Sequence, residues 1–169
     1  RSGLGSELGV GFGLVKGNTN ITITDGIIYH NIYGGGALAS VGTYTYNASN
    51  EISGHTSGGK ATITITGGTI GTDGHNNGMV FGSSRGEIDD PASIHDKLAW
   101  VYDTDVTIGT NGAETGPTIH GSLYGGGENG HVYHDASVMM YSGTIGNMSQ
   151  FDEYRGNVYG AGCGTDMYW

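Results

Sequence analysis

Asn31-Ile32-Tyr33-Gly34-Gly35-Gly36 is the stretch that decides the fold, because the chain returns to it three more times. The later copies are Met79-Val80-Phe81-Gly82-Ser83-Ser84, Ser122-Leu123-Tyr124-Gly125-Gly126-Gly127 and Asn157-Val158-Tyr159-Gly160-Ala161-Gly162. Each has an aliphatic residue, an aromatic, then glycine and two small residues. A second phrase precedes every copy. Ile21-Thr22-Ile23 leads to Asp25-Gly26-Ile27-Ile28, Ile63-Thr64-Ile65 to Gly67-Gly68-Thr69-Ile70, Val106-Thr107-Ile108 through an insertion to Thr118-Ile119, and Val138-Met139-Met140 to Ser142-Gly143-Thr144-Ile145. Two phrases in fixed order, four times over, mark an internal repeat, which has to be recognised before any fold is assigned.

Strict alternation within the second phrase predicts strands whose side chains point in turn to opposite faces. Stacking the units puts like over like. One inner column holds Ile21, Ile63, Val106 and Val138, another Ile23, Ile65, Ile108 and Met140, and a third Ile28, Ile70, Ile119 and Ile145. Each such burial contributes about 1.5–3 kcal/mol. A single unit cannot cover its own apolar face, so several must stack. The outward threonines Thr22, Thr64 and Thr107 suggest an ice-binding array, but Met139 and Gly109 interrupt it, and strand preference explains them more simply.

The aromatics are spaced 48, 43 and 35 residues apart. A β-propeller blade is of similar length, but each unit offers about three short extended pieces rather than four hairpin-linked strands. Unequal lengths suit loops bulging from a corner, such as Glu87-Ile88-Asp89-Asp90-Pro91 and the segment from Gly109 to Pro117. No helical periodicity is sustained. The expected fold is therefore all-β, a right-handed parallel β-solenoid (β-helix) of about four coils with inserted loops. It forms one domain over 1–169, with units near 1–36, 37–84, 85–127 and 128–169. Right-handedness follows the general rule for parallel crossovers. Tyr33, Phe81, Tyr124 and Tyr159 are expected to form an aromatic ladder. Gly34, Gly82, Gly125 and Gly160 are expected to turn the chain with positive φ. Both ends fall at the same phase of the repeat, which suggests a slice of a longer array or a subunit stacking end to end into a filament.

Composition narrows the function. Of 169 residues, 35 are Gly, yet 11 Tyr and abundant Ile, Val and Thr argue against disorder. A formal charge of −10 repels phosphate backbones and anionic lipid, so neither nucleic-acid nor membrane-surface binding is expected. No apolar run approaches the roughly 18 residues of a span, so no membrane insertion is expected either. Cys163 is the single cysteine, so it forms no internal disulfide.

The phrases Gly67-Gly68-Thr69-Ile70-Gly71 and Asn157-Val158-Tyr159-Gly160-Ala161-Gly162 resemble the Gly-rich "GGTIG…VYGGG" repeats of adhesin-like bacterial surface proteins. That resemblance implies a β-helical fold, secretion and a cell-surface or extracellular-fibre role. It carries no catalytic residues across, and the copy Phe81-Gly82-Ser83-Ser84 departs from its pattern.

Asp103 and Asp105 lie on one face of an extended stretch and would suit an acid pair or a cation, although a solvated acidic face is the simpler account in an acidic chain. His131-Val132-Tyr133-His134-Asp135 resembles a ligand cluster, but residues three apart on a strand face opposite ways, so joint chelation needs a turn. Asp73-Gly74, Asp89-Asp90 and Glu128-Asn129-Gly130 offer oxygen ligands of the kind calcium takes, but none of them forms a recognised calcium loop. Gly125-Gly126-Gly127 lacks the Gly-Lys-Ser/Thr of a phosphate loop. The expectation is a protein with no catalytic residues, cofactor or metal, associating with itself end to end. Surface glycans are a further partner class, stacking on Tyr29, Tyr44, Tyr46, Trp100 and Tyr102, with a carbohydrate-binding or polysaccharide-cleaving protein as the alternative function.

Overall fold

A computed structural model describes residues 11–49, 51–73, 75, 77–87, 96–147 and 155–164. The described residues are all-β and contain no helix. The strands in chain order begin with β1 (Thr19–Ile23), β2 (Ile27–Ile28) and β3 (Ile32–Tyr33), followed by β4 (Thr43–Tyr46) and β5 (Ile52–Ser57). Next come β6 (Lys60–Ile65), β7 (Thr69–Ile70) and β8 (Val80–Phe81), then β9 (Trp100–Val101), β10 (Asp103–Ile108), β11 (Thr118–Ile119) and β12 (Leu123–Tyr124). The last are β13 (His131–Val132), β14 (Ala136–Met140), β15 (Thr144–Ile145) and β16 (Val158–Tyr159).

Three sheets have four strands each: β1-β6-β10-β14, β2-β7-β11-β15 and β3-β8-β12-β16. Every pair within them is parallel. In the first sheet Ile21 stands beside Ile63, Ile63 beside Val106 and Val106 beside Val138. Ile28, Ile70, Ile119 and Ile145 line up likewise in the second. Parallel pairing without slippage keeps the side-chain period of every strand in phase, so one face of each sheet is mainly aliphatic. Thr19 and Thr104 stand at the start of it, with their hydroxyls bonded to the Gly34 and Gly125 carbonyls. Those faces merge into one core of Ile32, Ile63, Ile65, Ile70, Val80, Val106, Ile108, Ile119 and Leu123. Central strands are the most buried: after the exposed Lys60, β6 alternates buried and half-buried residues as β10 does throughout, whereas the edge strands β1 and β14 have no fully buried residue.

A fourth row was not foreseen. β9 pairs parallel with β13, a parallel bridge joins Val15 to Val41, and the Val41 N–H donates to the Trp100 carbonyl at 2.7 Å. Val41 and Val101 pack with Ala61 beneath it. Its sequence signal is one valine per unit (Val15, Val41, Val101 and Val132) in otherwise unlike surroundings, too short for alternation to reveal.

The hairpin was also missed. β4 and β5 pair antiparallel, with two register shifts. Their connection is closed by Asn47, whose Oδ1 accepts from the N–H groups of Ser49 and Glu51, both at 2.9 Å. This side chain supplies the turn as short polar residues do. The hairpin lies between Tyr33 and Phe81 and accounts for the long first interval. Glu87–Pro91 belongs to the following interval, and residues 88–91 lie outside the described residues.

The glycine expectation needs correction. Gly34, Gly82, Gly125 and Gly160 are not among the positive-φ glycines. A Cβ on Gly34 would fall on the carbonyl oxygen of Gly82, one on Gly82 on that of Gly125, and one on Gly125 on that of Gly160. Glycine is required there because successive strands approach too closely for any side chain. Positive φ occurs instead in the second phrase, at Gly26 (96°), Gly68 (85°) and Gly143 (109°), immediately before β2, β7 and β15. These are the glycines that turn the chain into its second sheet.

Candidate functional site

Tyr33, Phe81, Tyr124 and Tyr159 occupy equivalent positions of the third sheet. Their ring centroids are 5.1, 4.9 and 4.8 Å apart and their planes 8°, 17° and 12° from parallel. Because Ile32, Val80 and Leu123 point into the aliphatic core, the alternation sends these rings to the opposite face of the sheet. There Phe81 and Tyr124 are buried together with Met79, and Tyr33 and Cys163 pack alongside. Burial pushes the Tyr33 and Tyr124 hydroxyls well above the usual phenol range; a hydrogen bond to Glu128 adds to the effect at Tyr33, and the neighbouring Cys163 at Tyr124.

A second aromatic group gathers where the hairpin meets β9 and β13. His55 stacks on Tyr102 at 3.7 Å, and Tyr102 stacks on His134 at 5.0 Å. Trp100 stacks on His131 at 4.5 Å and meets Tyr133 edge-on at 6.2 Å. Tyr44 joins through His55 and Tyr133. Tyr102 is stacked by His55 and His134, so its faces are taken by neighbouring rings and are not free for the sugar stacking expected of it. Trp100, by contrast, is stacked by His131 alone among the described residues. Tyr44 departs from the expectation outright: it is buried, and its Oη donates to the Val41 carbonyl at 2.7 Å. Tyr29 is exposed.

Asp103, His134 and Asp135 border this group. The His134 Nδ1–H donates to Asp103 Oδ1 at 2.9 Å and stands 3.4 Å from Asp135 Oδ2. Asp103 Oδ1 also accepts from the Asp135 N–H at 3.0 Å. The hydrogen bond to Asp103, reinforced by Asp135, raises the imidazole above its ordinary value. One ligand atom from each residue lies within 4.8 Å of the others, a spacing that a divalent cation accepting nitrogen and oxygen ligands would tolerate. His131 is not part of that group, since it leans on Trp100. His131 and His134 are therefore not brought together, and the partners of His134 are Asp103 and Asp135. Asp105 goes elsewhere: it pairs with Lys60 at 3.2 Å, so the two carboxylates of the proposed acid pair have separate partners. Glu128 is buried within the chain's own packing rather than displayed in a calcium loop. Of the other calcium candidates, Asp89 and Asp90 lie outside the described residues, while the Asp73 carboxylate accepts from Asn147 Nδ2 at 3.0 Å.

No described helix is long and apolar enough to cross a membrane. No protein-family model, curated protein or solved structure matches the chain.

Proposed function

We propose that the chain is a non-enzymatic structural or adhesive repeat segment of a bacterial cell-surface or extracellular fibre, wound as a right-handed parallel β-solenoid of four coils and continuing end to end into further copies or units. Support for the winding comes from the strand order: the chain enters the same three parallel sheets in the same sequence four times. Support for continuation comes from the outer strands. Val158 and Tyr159 are 52% and 42% exposed on one flank, and Ile27 and Tyr29 are 61% and 66% exposed on the other. A strand edge paired on one side only, carrying apolar residues, is a template for another strand. Joining the two flanks of different molecules repeats the existing register without closing a ring, which gives a filament.

The non-enzymatic part rests on Asp103 and Asp105, each of which is held by its own basic partner. Negative-stain microscopy with sedimentation over a wide concentration range tests the proposal. Filaments, or association that grows with concentration and is abolished by Ile27→Lys and Val158→Lys, are expected. Monodisperse monomers at the highest concentration would overturn it.

A further inference from the structure

On the outer side of the second sheet lies a cleft of about 490 Å³, bordered by Thr118, His120, Thr144, Ile145, Asn147 and Arg155. Its volume lies within the range of small-molecule sites. Thr118 and Thr144 are register neighbours on β11 and β15, so their hydroxyls stand side by side. His120 follows β11 directly, and its backbone N–H donates to the Ile70 carbonyl at 2.9 Å, which fixes where the ring begins. The His120 Nδ1 is buried and meets no hydrogen-bond partner among the described residues. A buried polar nitrogen left unsatisfied costs about 1–3 kcal/mol, a penalty that a bound polar group would remove. Asn147 is held at the rim by its hydrogen bond to Asp73. Arg155 has five donors in a planar fork, enough to serve the protein and a ligand together.

These groups are donors, in a chain of formal charge −10 with six Lys and Arg in all. A guanidinium beside an imidazole recognises a planar or tetrahedral oxyanion. Paired hydroxyls, a carboxamide and the aliphatic Ile145 beside them suit a ring that is hydroxylated at its edge and apolar on its face. We propose that the cleft binds an anionic sugar, a hydroxylated ring carrying a carboxylate or sulfate. Its oxyanion sits against Arg155 and His120 Nδ1, and its hydroxyls meet Thr118, Thr144 and Asn147. β15 is the outer strand of the second sheet, so the cleft borders the flank of the fibre reading, but all its groups come from one chain and binding is read on the unassembled protein. As part of a fibre, it would recur along the surface and give many weak sites a high combined affinity.

Titration of the isotope-labelled full chain with glucuronate, glucose 6-sulfate, glucose and inorganic phosphate, followed by NMR, tests the proposal. Saturable shifts centred on His120, Thr144 and Ile145 are expected with the two anionic sugars. Glucose should bind at least about tenfold more weakly, the loss equivalent to one charge-assisted hydrogen bond. Arg155→Gln and His120→Leu should each weaken glucuronate by a similar factor while the melting temperature holds. If either variant is destabilised, Thr144→Val, at an exposed position, must weaken binding on its own. Equal affinity for glucose and glucuronate would overturn the proposal. So would phosphate binding as well as glucuronate, or shifts centred away from these residues. Neither Ile27 nor Val158 lines the cleft, so glucuronate binding retained in Ile27→Lys and Val158→Lys, and filaments retained in Arg155→Gln, tell the failure of one reading from the failure of the other.

Discussion

Tyr33 Oη donates to Glu128 Oε2 at 2.6 Å, joining residues 95 apart in sequence. Glu128 is buried, and its carboxylate reaches the first rung of the aromatic ladder from the loop that follows the third. A buried carboxylate demands hydrogen-bond donors, and a Tyr hydroxyl is a good one. The contact therefore ties the first repeat to the third across the intervening Phe81, which has no hydroxyl to offer.

Tyr33→Phe removes that donor while keeping the ring stack. A loss of about 1.5–3 kcal/mol is expected, the usual range for a hydrogen bond to a charged group. Denaturant unfolding measures it. A double-mutant cycle with Glu128→Gln should return a coupling of the same sign, and additive losses would show that the contact carries no energy.

Gly82→Ala and Gly160→Ala make a matched pair. Both glycines follow a ladder aromatic, yet a Cβ at 82 would strike the Gly125 carbonyl, whereas one at 160 meets nothing within 4 Å. The first substitution should cost roughly 1–3 kcal/mol or more, as forced overpacking does. The second should stay within about 0.5 kcal/mol. Equal losses in thermal or denaturant unfolding would mean that these glycines act through backbone freedom and not through close approach.

That pair also shows where the sequence was informative. The inner columns were legible because Ile21, Ile63, Val106 and Val138 sit in strict alternation, and alternation translates directly into a face. The positions of the glycines were legible as well, but their role was not. Close approach depends on the spacing between strands, which one strand's sequence does not encode. The β4–β5 hairpin escaped notice because Thr43-Tyr44-Thr45-Tyr46 reads equally as any half-buried strand, and its turn is built by one Asn side chain without Asn-Gly or Asp-Gly. The Asp103–His134 contact depends on two rows lying in register 31 residues apart. The cleft at His120 had no motif at all: its groups come from β11, β15, the residues just beyond them and Arg155 ahead of β16.

Tyr124→Asp places a carboxylate between two rings, at a side chain that is 4% exposed. Burial of an unpaired charge together with loss of the aromatic volume should cost more than about 3 kcal/mol. His75→Ala, at an exposed position, should change stability by less than about 0.5 kcal/mol. Melting curves of the two variants test the ladder, and the reverse order would refute the register that stacks Tyr124 between Phe81 and Tyr159.

His134 offers a pH-dependent test of the corner beside the hairpin. Its imidazole titrates above the ordinary value of 6.5, first because Asp103 accepts its Nδ1–H and second because Asp135 is close. A folded-state value above the unfolded one means that the protonated ring is favoured in the native state. The associated stability is complete below about pH 6.5 and is lost as the pH rises through the folded value. Solvent screening at this exposed side chain keeps the contribution small, so the titration itself is the better readout. An NMR titration should place His134 above 6.5 in the native chain and move it back towards that value in Asp103→Asn. Asp135→Asn should produce a smaller shift, since its oxygen is 3.4 Å away rather than 2.9 Å. If removing Asp103 leaves the titration where it was, His134 does not hold the turn after β13 to the start of β10.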